Sequence, residues 1–519
     1  MNDGLKKYLP YSVAFLLVTV VVAIAGKNMV VSLDLFHEMA LYRQMEAEGS
    51  MPIEDDFAYT PTVKPVVHHE WATGAVLYLA TVSTGWGDAG LVAIKYFLTF
   101  AVCIGCFWIA YQRRARIFVF ASLAFIPLNV GGWMAFTNIR AQLFTLFFFV
   151  TMYQFIEWDR RGKKWWVILW LPMFVVWANM HAGFLAGLGI LGIYGITRWL
   201  TELKESENLL ESVRRVSHLL FVGFSSLLLM NVNPYGWDYI PYLIRAVSME
   251  RPLIVEWRAI WDLGTYEPLL FYSVSVLIAA YGIYQDRGKS LFPALALALT
   301  AILAAKNYRH GSLYAVTWAC FVPALIEPAP LGETFRELWH RYSPQLATIC
   351  TAVGIIALGL SIQNNFWELQ IPGSKRNPND GVLIYPVGAV NYLAESKFEG
   401  NVFVPFNSGA FVLWKLYPHV KVSIDSRYEV AYPHGAIEEN MAFYQAFPGW
   451  TETLEKYDTD AVLIPNACDL SAVFPDHQAT QRWLRAYKDS EFTLYLSPNI
   501  GNQFPVVDRS REKIVGVFP

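Results

Sequence analysis

Long apolar runs alternate with short polar segments through the first two-thirds of the chain. The run from Leu9 to Val31 is about 23 residues long, enough for a helix to cross the bilayer core, and residues 89–109 form another full-length run. Further apolar runs predict spans near residues 117–135, 141–157, 165–181, 182–200, 216–232, 267–284, 290–306, 311–327 and 344–362. The pattern therefore predicts about eleven transmembrane helices.

The first run exceeds the hydrophobic region of a typical signal peptide, so we expect a retained helix with a cytoplasmic N-terminus. Residues 72–83 are too few to span, and we expect them to lie on the outer membrane surface. They would form the second of two surface helices in an outer loop, residues 32–88. This assignment places the basic connecting segments in the cytoplasm, as the positive-inside rule requires: Gln112–Arg116, Asp159–Lys164, Glu202–Arg215, Asp286–Lys289 and Phe335–Arg341.

The character of the chain changes after about Ser361. The segments NVFVPF, GAFVLWKL, KVSI, DAVLIP and FTLYLS are predicted strands, and Gly435 to Ala446 is a predicted helix between them. We expect residues 1–362 to form a polytopic α-helical membrane domain and residues 363–519 to form a soluble α/β or α+β domain. An odd number of spans places the second domain outside, in the periplasm or extracellular space.

Composition agrees with a membrane protein, because 55% of the 519 residues are hydrophobic and only 16% are charged. Membrane lipids are therefore expected partners. No basic cluster resembles a nucleic-acid footprint, so we expect no nucleic-acid partner. Cys103 and Cys106 form a CxxC inside an apolar run, which favours packing over a metal or redox role. Few cysteines and no organelle signal are typical of a bacterial inner-membrane protein.

Acid and base side chains concentrate between Leu33 and Trp71. Asp34 and His37 are three residues apart, so they share one face if Asp34 opens a helix. Asp34 could also cap that helix. His68, His69 and Glu70 precede the second surface helix, and Asp55 and Asp56 are expected to be turn or accessory residues.

Polar side chains also recur at the outer ends of the predicted spans. Such groups near hydrocarbon cost a few kcal/mol unless their surroundings are wet or paired. Each could be a structural cap, but their recurrence at one depth predicts a shared aqueous cavity. The set comprises Arg140, Asn179, His181, Asn233, Glu256, Arg309 and His310.

The arrangement resembles the GT-C glycosyltransferase superfamily, whose members use sugars linked to polyprenyl phosphate. The similarity lies in one N-terminal span followed by a long outer loop with an acid beside the membrane, here Asp34. The loop carries two surface helices, the second preceded by a His-containing motif, here HHEW. The chain is also similar to uncharacterised bacterial membrane proteins with an outer C-terminal domain, through DLFHE, DDFAYT, HHEW, NIRAQLF, WANMHAGF, NPYGW and SIDSRYE.

The resemblance implies an inverting glycosyltransferase that moves a sugar from a polyprenyl-phosphate donor to a glycan, lipid or protein acceptor. It implies that Asp34 is the catalytic base, and we place His37 and Glu70 beside it in the catalytic group. A carboxylate suits this role because the acceptor hydroxyl must lose its proton as it attacks. The growing charge on the leaving phosphate needs cationic donors, for which Arg140, Arg309 and His310 are the candidates.

Other candidate ligand-binding residues are less specifically assigned. His68, His69 and Glu70 could position the acceptor, bind the leaving group or hold a divalent cation, and their spacing selects no metal. Asp425 and Arg427 directly follow a predicted strand and could face a ligand or form a structural pair. We expect the C-terminal domain to cover the cavity or to choose the acceptor.

Two other functions compete with the enzyme. A transporter would also line its path with polar groups, although usually near the bilayer midplane and in repeated halves. A non-catalytic scaffold could use the same surfaces to bind a lipid-linked glycan or a partner protein.

Overall fold

The computed structural model describes residues 2–27, 29–249, 251, 254–375 and 382–519. The chain divides into two compact units. The helical unit consists of Met1–Met29 and Val92–Trp367. The sheet unit consists of Val30–Leu91 and Glu368–Pro519. The sequence analysis placed loop 32–88 with the membrane domain, whereas the structure groups it with the C-terminal segment.

The α-helices are, in chain order, α1 (Asn2–Gly26), α2 (Leu33–Glu48), α3 (Trp71–Tyr78), α4 (Asp88–Gln112), α5 (Ile117–Leu123), α6 (Phe125–Pro127), α7 (Trp133–Thr137), α8 (Ala141–Arg160), α9 (Trp166–Met180), α10 (Phe184–Glu205), α11 (Leu209–Arg215), α12 (Ser217–Leu229), α13 (Tyr239–Ser248), α14 (Glu267–Gln285), α15 (Leu291–Lys306), α16 (Gly311–Ile326), α17 (Pro330–Arg341), α18 (Ser343–Gln363), α19 (Val387–Glu395), α20 (Phe406–Leu416), α21 (Ala436–Tyr444), α22 (Trp450–Lys456) and α23 (Leu470–Val473). The strands are β1 (Ile371–Pro372), β2 (Gly400–Phe403), β3 (Val420–Val422), β4 (Ala461–Pro465), β5 (Leu484–Lys488), β6 (Phe492–Leu496), β7 (Val507–Asp508) and β8 (Val515–Gly516).

Several helices have the length and apolar composition that a membrane span requires. Among the described residues, five helices qualify singly: Lys7–Gly26, Asp88–Gln112, Phe184–Glu205, Glu267–Gln285 and Ser343–Gln363. A sixth span results if Tyr308–Ile326 and Pro330–Arg341, which meet at 85°, are counted together. Other apolar helices are shorter, so these lengths do not confirm eleven spans.

The predicted span at 117–135 is broken into α5, α6, a π-helical turn at Leu128–Gly132, and α7. The break lies where Gly131 packs against α16: a Cβ built on Gly131 would lie 2.3 Å from the carbonyl carbon of Gly311. Two backbones approach closely there because neither residue has a side chain. The hydrophobic run predicted an apolar segment but could not predict this contact.

The sheet unit is built around a mixed six-stranded sheet in the order β3-β2-β4-β6-β5-β7. β2 runs parallel to β3 and β4, whereas β6 runs antiparallel to β4 and β5. Loop 32–88 joins the edge of this sheet: the N–H of Tyr59 donates to the carbonyl of Val422 at 3.1 Å, and the N–H of Val422 donates to the carbonyl of Phe57 at 3.0 Å. This pairing makes the loop a structural part of the sheet unit.

Most of the predicted C-terminal elements are confirmed. Strands β2, β3, β4 and β6 overlap NVFVPF, KVSI, DAVLIP and FTLYLS respectively, and α21 lies inside the predicted helix. The assignment of GAFVLWKL as a strand is wrong, because these residues belong to α20. Most of α20 is buried, so its sequence is apolar on all sides and the helical period is hidden. Strand β5 was missed.

Candidate functional site

The predicted base, Asp34, lies in the first turn of α2. Ser32, with extended backbone angles, occupies the N-cap position, so the interpretation of Asp34 as the cap is wrong. Asp34 and His37 are three residues apart on the same helix, as predicted. Between them Phe36 is fully buried, with its ring centroid 5.4 Å from that of Tyr385 and 5.2 Å from that of Phe411. This aromatic packing fixes the start of α2 within the sheet unit.

The imidazole of His37 is hydrogen-bonded to Ser426, with 2.8 Å between Nδ1 and Oγ. Burial lowers the pKa of His37 below 6.5, while the nearby carboxylates of Asp425 and Asp34 oppose this shift. Glu70 also raises the pKa of His37 electrostatically. The structure therefore brings together Asp34, His37 and Glu70, the three residues predicted to be catalytic.

The HHEW segment reaches the same group from the start of α3. His68 is only 5% exposed, and burial lowers its pKa well below 6.5, with Arg427 and His37 acting in the same direction. His69 Nε2 lies 3.3 Å from Glu70 Oε1. α3 lies close to α2 at Gly74, where an added Cβ would be 2.2 Å from the carbonyl oxygen of Glu38. This close approach positions His68 and Glu70 beside α2.

Asp425 and Arg427 form a buried ion pair in the turn that follows β3. Asp425 is 0% and Arg427 3% exposed. Nε of Arg427 donates to both carboxylate oxygens of Asp425 at 2.8 and 3.0 Å, and Nη2 donates at 2.6 Å. Burial raises the pKa of Asp425, but the charge and hydrogen bonds of Arg427 outweigh it and hold this pKa below 3.8. Tyr432 donates its hydroxyl to Asp425 at 3.0 Å.

The second partner of Arg427 comes from loop 32–88. Nη1 of Arg427 donates to Asp55, whose other oxygen accepts from the N–H of Ala58 at 2.9 Å. Asp55 is thus a turn residue, as expected, and also neutralises a buried guanidinium. The sequence left two roles open for Asp425 and Arg427, binding a ligand or forming a structural pair. Their contacts with each other and with Asp55 support the structural pair.

A divalent cation was one use considered for the histidines and acids of this group. Among the residues described by the structure, no set of three or more His, Cys, Asp or Glu side chains is arranged to hold a metal ion. Arg427 instead occupies the position between two of the carboxylates. The described residues of this group therefore do not fit a metal ion.

The helical unit contains a second charged group at its predicted phosphate-binding residues. Nη1 of Arg140 donates to both carboxylate oxygens of Glu256, at 3.2 and 3.0 Å, and Nη1 of Arg309 donates to Oε1 at 2.8 Å. Burial raises the pKa of Glu256, but Arg309 and Arg140 together lower it below 4.5. Two arginines therefore share the one carboxylate of Glu256.

Trp257 covers this group. Its ring lies 5.6 Å from the guanidinium carbon of Arg309 and 4.1 Å from that of Arg251, both within cation–π range. His310 contacts the same ring edge-on, with centroids 6.0 Å apart. The Trp257 ring thus brings Arg251, from its own loop, together with Arg309 and His310 from the loop after α15.

Three other predicted ligand-binding residues have structural contacts in the helical unit. Asn179 donates to the carbonyls of Val175 and Val232 at 2.8 and 2.9 Å. His181 Nδ1 accepts from the N–H of Gly183 and lies 2.9 Å from Oγ1 of Thr145. Asn233 accepts from the N–H of Tyr235 at 2.8 Å in a turn. These contacts favour the structural reading of each residue.

An apolar cavity of about 290 Å³ lies among α1, α4, α5 and α16. Phe100, Phe107, Phe120, Leu146 and Trp318 line it, and Cys103 and Cys106 also face it as free thiols. Ser312 is at its wall, and its hydroxyl accepts from Gln142 at 2.7 Å. The same Gln142 amide donates to the carbonyl of Arg309 at 3.0 Å, so the cavity is linked to the arginine group through two hydrogen bonds.

Sequence reasoning missed Ser426 and Trp257. Ser426 lies between Asp425 and Arg427, which the sequence did single out. Its position among polar residues at the end of a strand could have indicated that it belongs to the site. Trp257 directly follows Glu256, but nothing local in the sequence indicates that Arg309, from the loop after α15, meets its ring.

The protein consists of apolar helices suited to a membrane and a sheet unit in which Asp34, His37, His68 and Glu70 lie close together. Neither the comparison with protein-family models nor the comparison with curated proteins finds a match to this chain.

Proposed function

We propose that the protein is a membrane glycosyltransferase that transfers a sugar from a polyprenyl-phosphate or polyprenyl-diphosphate donor to an acceptor hydroxyl. Asp34 takes the proton of the acceptor as its oxygen bonds to the anomeric carbon. The bond from that carbon to the phosphate oxygen breaks, and its electron pair leaves with the phosphate. A single displacement of this kind inverts the configuration of the sugar.

The main support is that Asp34, His37, Glu70 and His68 lie close enough together in the sheet unit to shift the pKa values of the two histidines. A carboxylate acts as a general base when it lies within hydrogen-bond reach of the acceptor hydroxyl, and neighbouring groups tune its pKa. Burial keeps His37 and His68 largely neutral near pH 7, because their pKa values are lowered. Neutral imidazoles can accept or donate a hydrogen bond to a sugar hydroxyl.

The helical unit supplies support for an amphiphilic donor. Its apolar cavity suits an isoprenoid chain, and the Arg140–Arg309 group suits a phosphate. Ser312 and Gln142 connect the two features. A lipid with an anionic head needs both kinds of surface close together.

We further propose the topology in which the chain has about eleven spans in a bacterial inner membrane, a cytoplasmic N-terminus and an outer sheet unit. In this topology the transfer takes place at the outer face. Single cysteines at position 114 or position 397, in a variant whose five native cysteines are replaced, test it when labelled with a membrane-impermeant thiol reagent. Labelling of position 397 but not of position 114 in intact cells is expected, and the reverse pattern contradicts the proposal.

The function itself is tested with purified full-length protein in bilayers and a panel of polyprenyl-phosphate sugars with glycan, lipid and peptide acceptors. Transfer of radiolabelled sugar to an acceptor is expected. Saturable binding without transfer would identify the scaffold function, and neither binding nor transfer, with flux of a solute across vesicles, would identify a transporter. Comparing lipid-linked and surface glycans with and without the gene then identifies the natural acceptor.

A further inference from the structure

Ser426 occupies a position that its neighbours determine rigidly. The N–H of Arg427 donates to Oδ1 of Asp425 at 3.0 Å, closing a tight turn over Ser426. The side chains on either side form the buried ion pair described above. The hydroxyl of Ser426 is therefore held in place by the backbone, and it lies 2.8 Å from Nδ1 of His37.

The other ring nitrogen of His37 has a different environment. Within the described part of the chain, Nε2 makes no hydrogen bond, and the residue as a whole is only half-buried. A ring that is fixed at Nδ1 and unbonded at Nε2 is oriented for use at Nε2. This is the arrangement expected when an imidazole exchanges a proton with a molecule that arrives later.

Charged groups face this ring from every side. They are Asp34 on the same helix, Glu70 and His68 before α3, and Asp425 and Arg427 in the turn after β3. The three carboxylates favour an N–H or imidazolium, whereas burial, Arg427 and His68 oppose the charge. The net effect lowers the pKa of His37, so the neutral ring predominates near pH 7, while the three carboxylates partly offset the effect of burial.

We propose that Ser426 is a positioning residue, which holds Nδ1 of His37 so that Nε2 is the nitrogen that exchanges a proton or a hydrogen bond with the substrate. A hydroxyl suits this task because it can donate to an unprotonated Nδ1 and, after rotation, accept from a protonated one. It can follow the ring through both states of a catalytic cycle. This role rests on the proposed transferase function, but its structural part is independent of turnover.

The structural part is tested by ¹⁵N NMR of full-length protein labelled at its ten histidines and embedded in bilayers. His37→Asn assigns the His37 signals. In Ser426→Ala the Nδ1 resonance of His37 should move because its hydrogen bond is lost, and in Ser426→Thr it should stay near the wild-type value. An unmoved Nδ1 resonance in Ser426→Ala would overturn the proposal whether or not the protein transfers sugars.

The catalytic part is tested with the same variants in the transfer assay. Loss of one hydrogen bond predicts a ~5-fold lower kcat in Ser426→Ala with little change in KM, and a shifted pH profile. Ser426→Thr should restore both. Ser490→Ala, which removes an exposed hydroxyl of the same unit, is the matched control. A moved Nδ1 resonance with unchanged kcat would confine Ser426 to a structural role and overturn the catalytic part alone.

Discussion

Arg427 donates a hydrogen bond to Asp55, which precedes it by 372 residues in the chain. The same guanidinium binds Asp425 only two residues away. One arginine thus joins loop 32–88 to the turn after β3 inside a buried region. Because a carboxylate on each side neutralises it, neither the loop nor the turn can hold its charges there without the other.

Replacing Arg427 with Met should destabilise the sheet unit severely. Two buried carboxylates would lose their cation, and breaking one partner of a buried pair costs about 3–5 kcal/mol. We expect native-state hydrogen exchange in β2 and β4 of the full-length protein to accelerate accordingly. Arg485→Met, at an exposed position of β5, is the control and should leave exchange unchanged. Equal exchange in both variants would show that the pair contributes little.

The sequence analysis predicted the apolar helices and most of the C-terminal strands, because hydrophobic period and run length report local burial. It could not predict that loop 32–88 belongs to the sheet unit. That association depends on backbone pairing of Phe57 and Tyr59 with Val422, and backbone groups carry no sequence signal. Deleting residues 370–519 would therefore remove the partners of the loop as well as the C-terminal segment.

The site was predictable in its residue types but not in its pairings. Asp34, His37 and Glu70 stood out because ionisable groups are rare in this half of the chain. Arg427 was expected either to face a ligand or to form a structural pair with Asp425. The structure shows that pair, together with a second acid, Asp55, which is far away in sequence and was not predicted as a partner. Hydrogen bonds to backbone groups occupy Asn179, His181 and Asn233. A sequence pattern of polar residues at helix ends cannot distinguish such residues from residues that line a cavity.

The stability of the sheet unit should fall as the pH drops below about 6.5. His68 is buried and its folded pKa lies well below 6.5, so the unfolded chain binds a proton that the folded chain does not. Stability then rises with pH through this window, by up to about 1.4 kcal/mol per pH unit for one group. Asp425 has a lowered pKa in the folded state, so its contribution to stability is lost separately, only as the pH falls below about 3.8.

Thermal unfolding of the full-length protein between pH 5 and pH 7.5 measures this effect. In His68→Gln the unfolding temperature should depend less on pH. The substitution also lowers the overall stability, because it changes a buried contact. His419→Gln is the control, because its side chain is 67% exposed and it should not alter the slope. A slope that persists in His68→Gln would assign the pH dependence to His37 or to another group.

Asp34→Asn should abolish sugar transfer while the protein stays folded in membranes. The amide has nearly the same shape but cannot accept a proton, and loss of a general base typically lowers kcat by about 10²–10⁴-fold. The measurement is the single-turnover rate with a bound polyprenyl-phosphate sugar. Glu46→Gln, an exposed carboxylate on the same helix, should retain full activity. Retained transfer in Asp34→Asn would move the base to Glu70 or Asp56.

Arg309 and Glu256 should have opposite effects on binding of the donor phosphate. Arg309→Ala removes one of the two guanidinium groups and should weaken binding of a polyprenyl-phosphate by ~10-fold or more. Glu256→Gln removes the carboxylate that now lies 2.8 Å from Arg309 and 3.0 Å from Arg140, so the phosphate no longer competes with it and should bind more tightly.

Equilibrium binding of a fluorescent polyprenyl-phosphate to the full-length protein in detergent measures both effects. Arg336→Ala is the matched control, since Arg336 also pairs with a glutamate of the helical unit, Glu327, at 2.9 Å. Weaker binding in Glu256→Gln would mean that the carboxylate holds the arginines in their binding geometry rather than competing with the phosphate. Unchanged affinity in Arg309→Ala would exclude Arg309 from the phosphate site, because a guanidinium in contact with the phosphate cannot be removed without a loss of affinity.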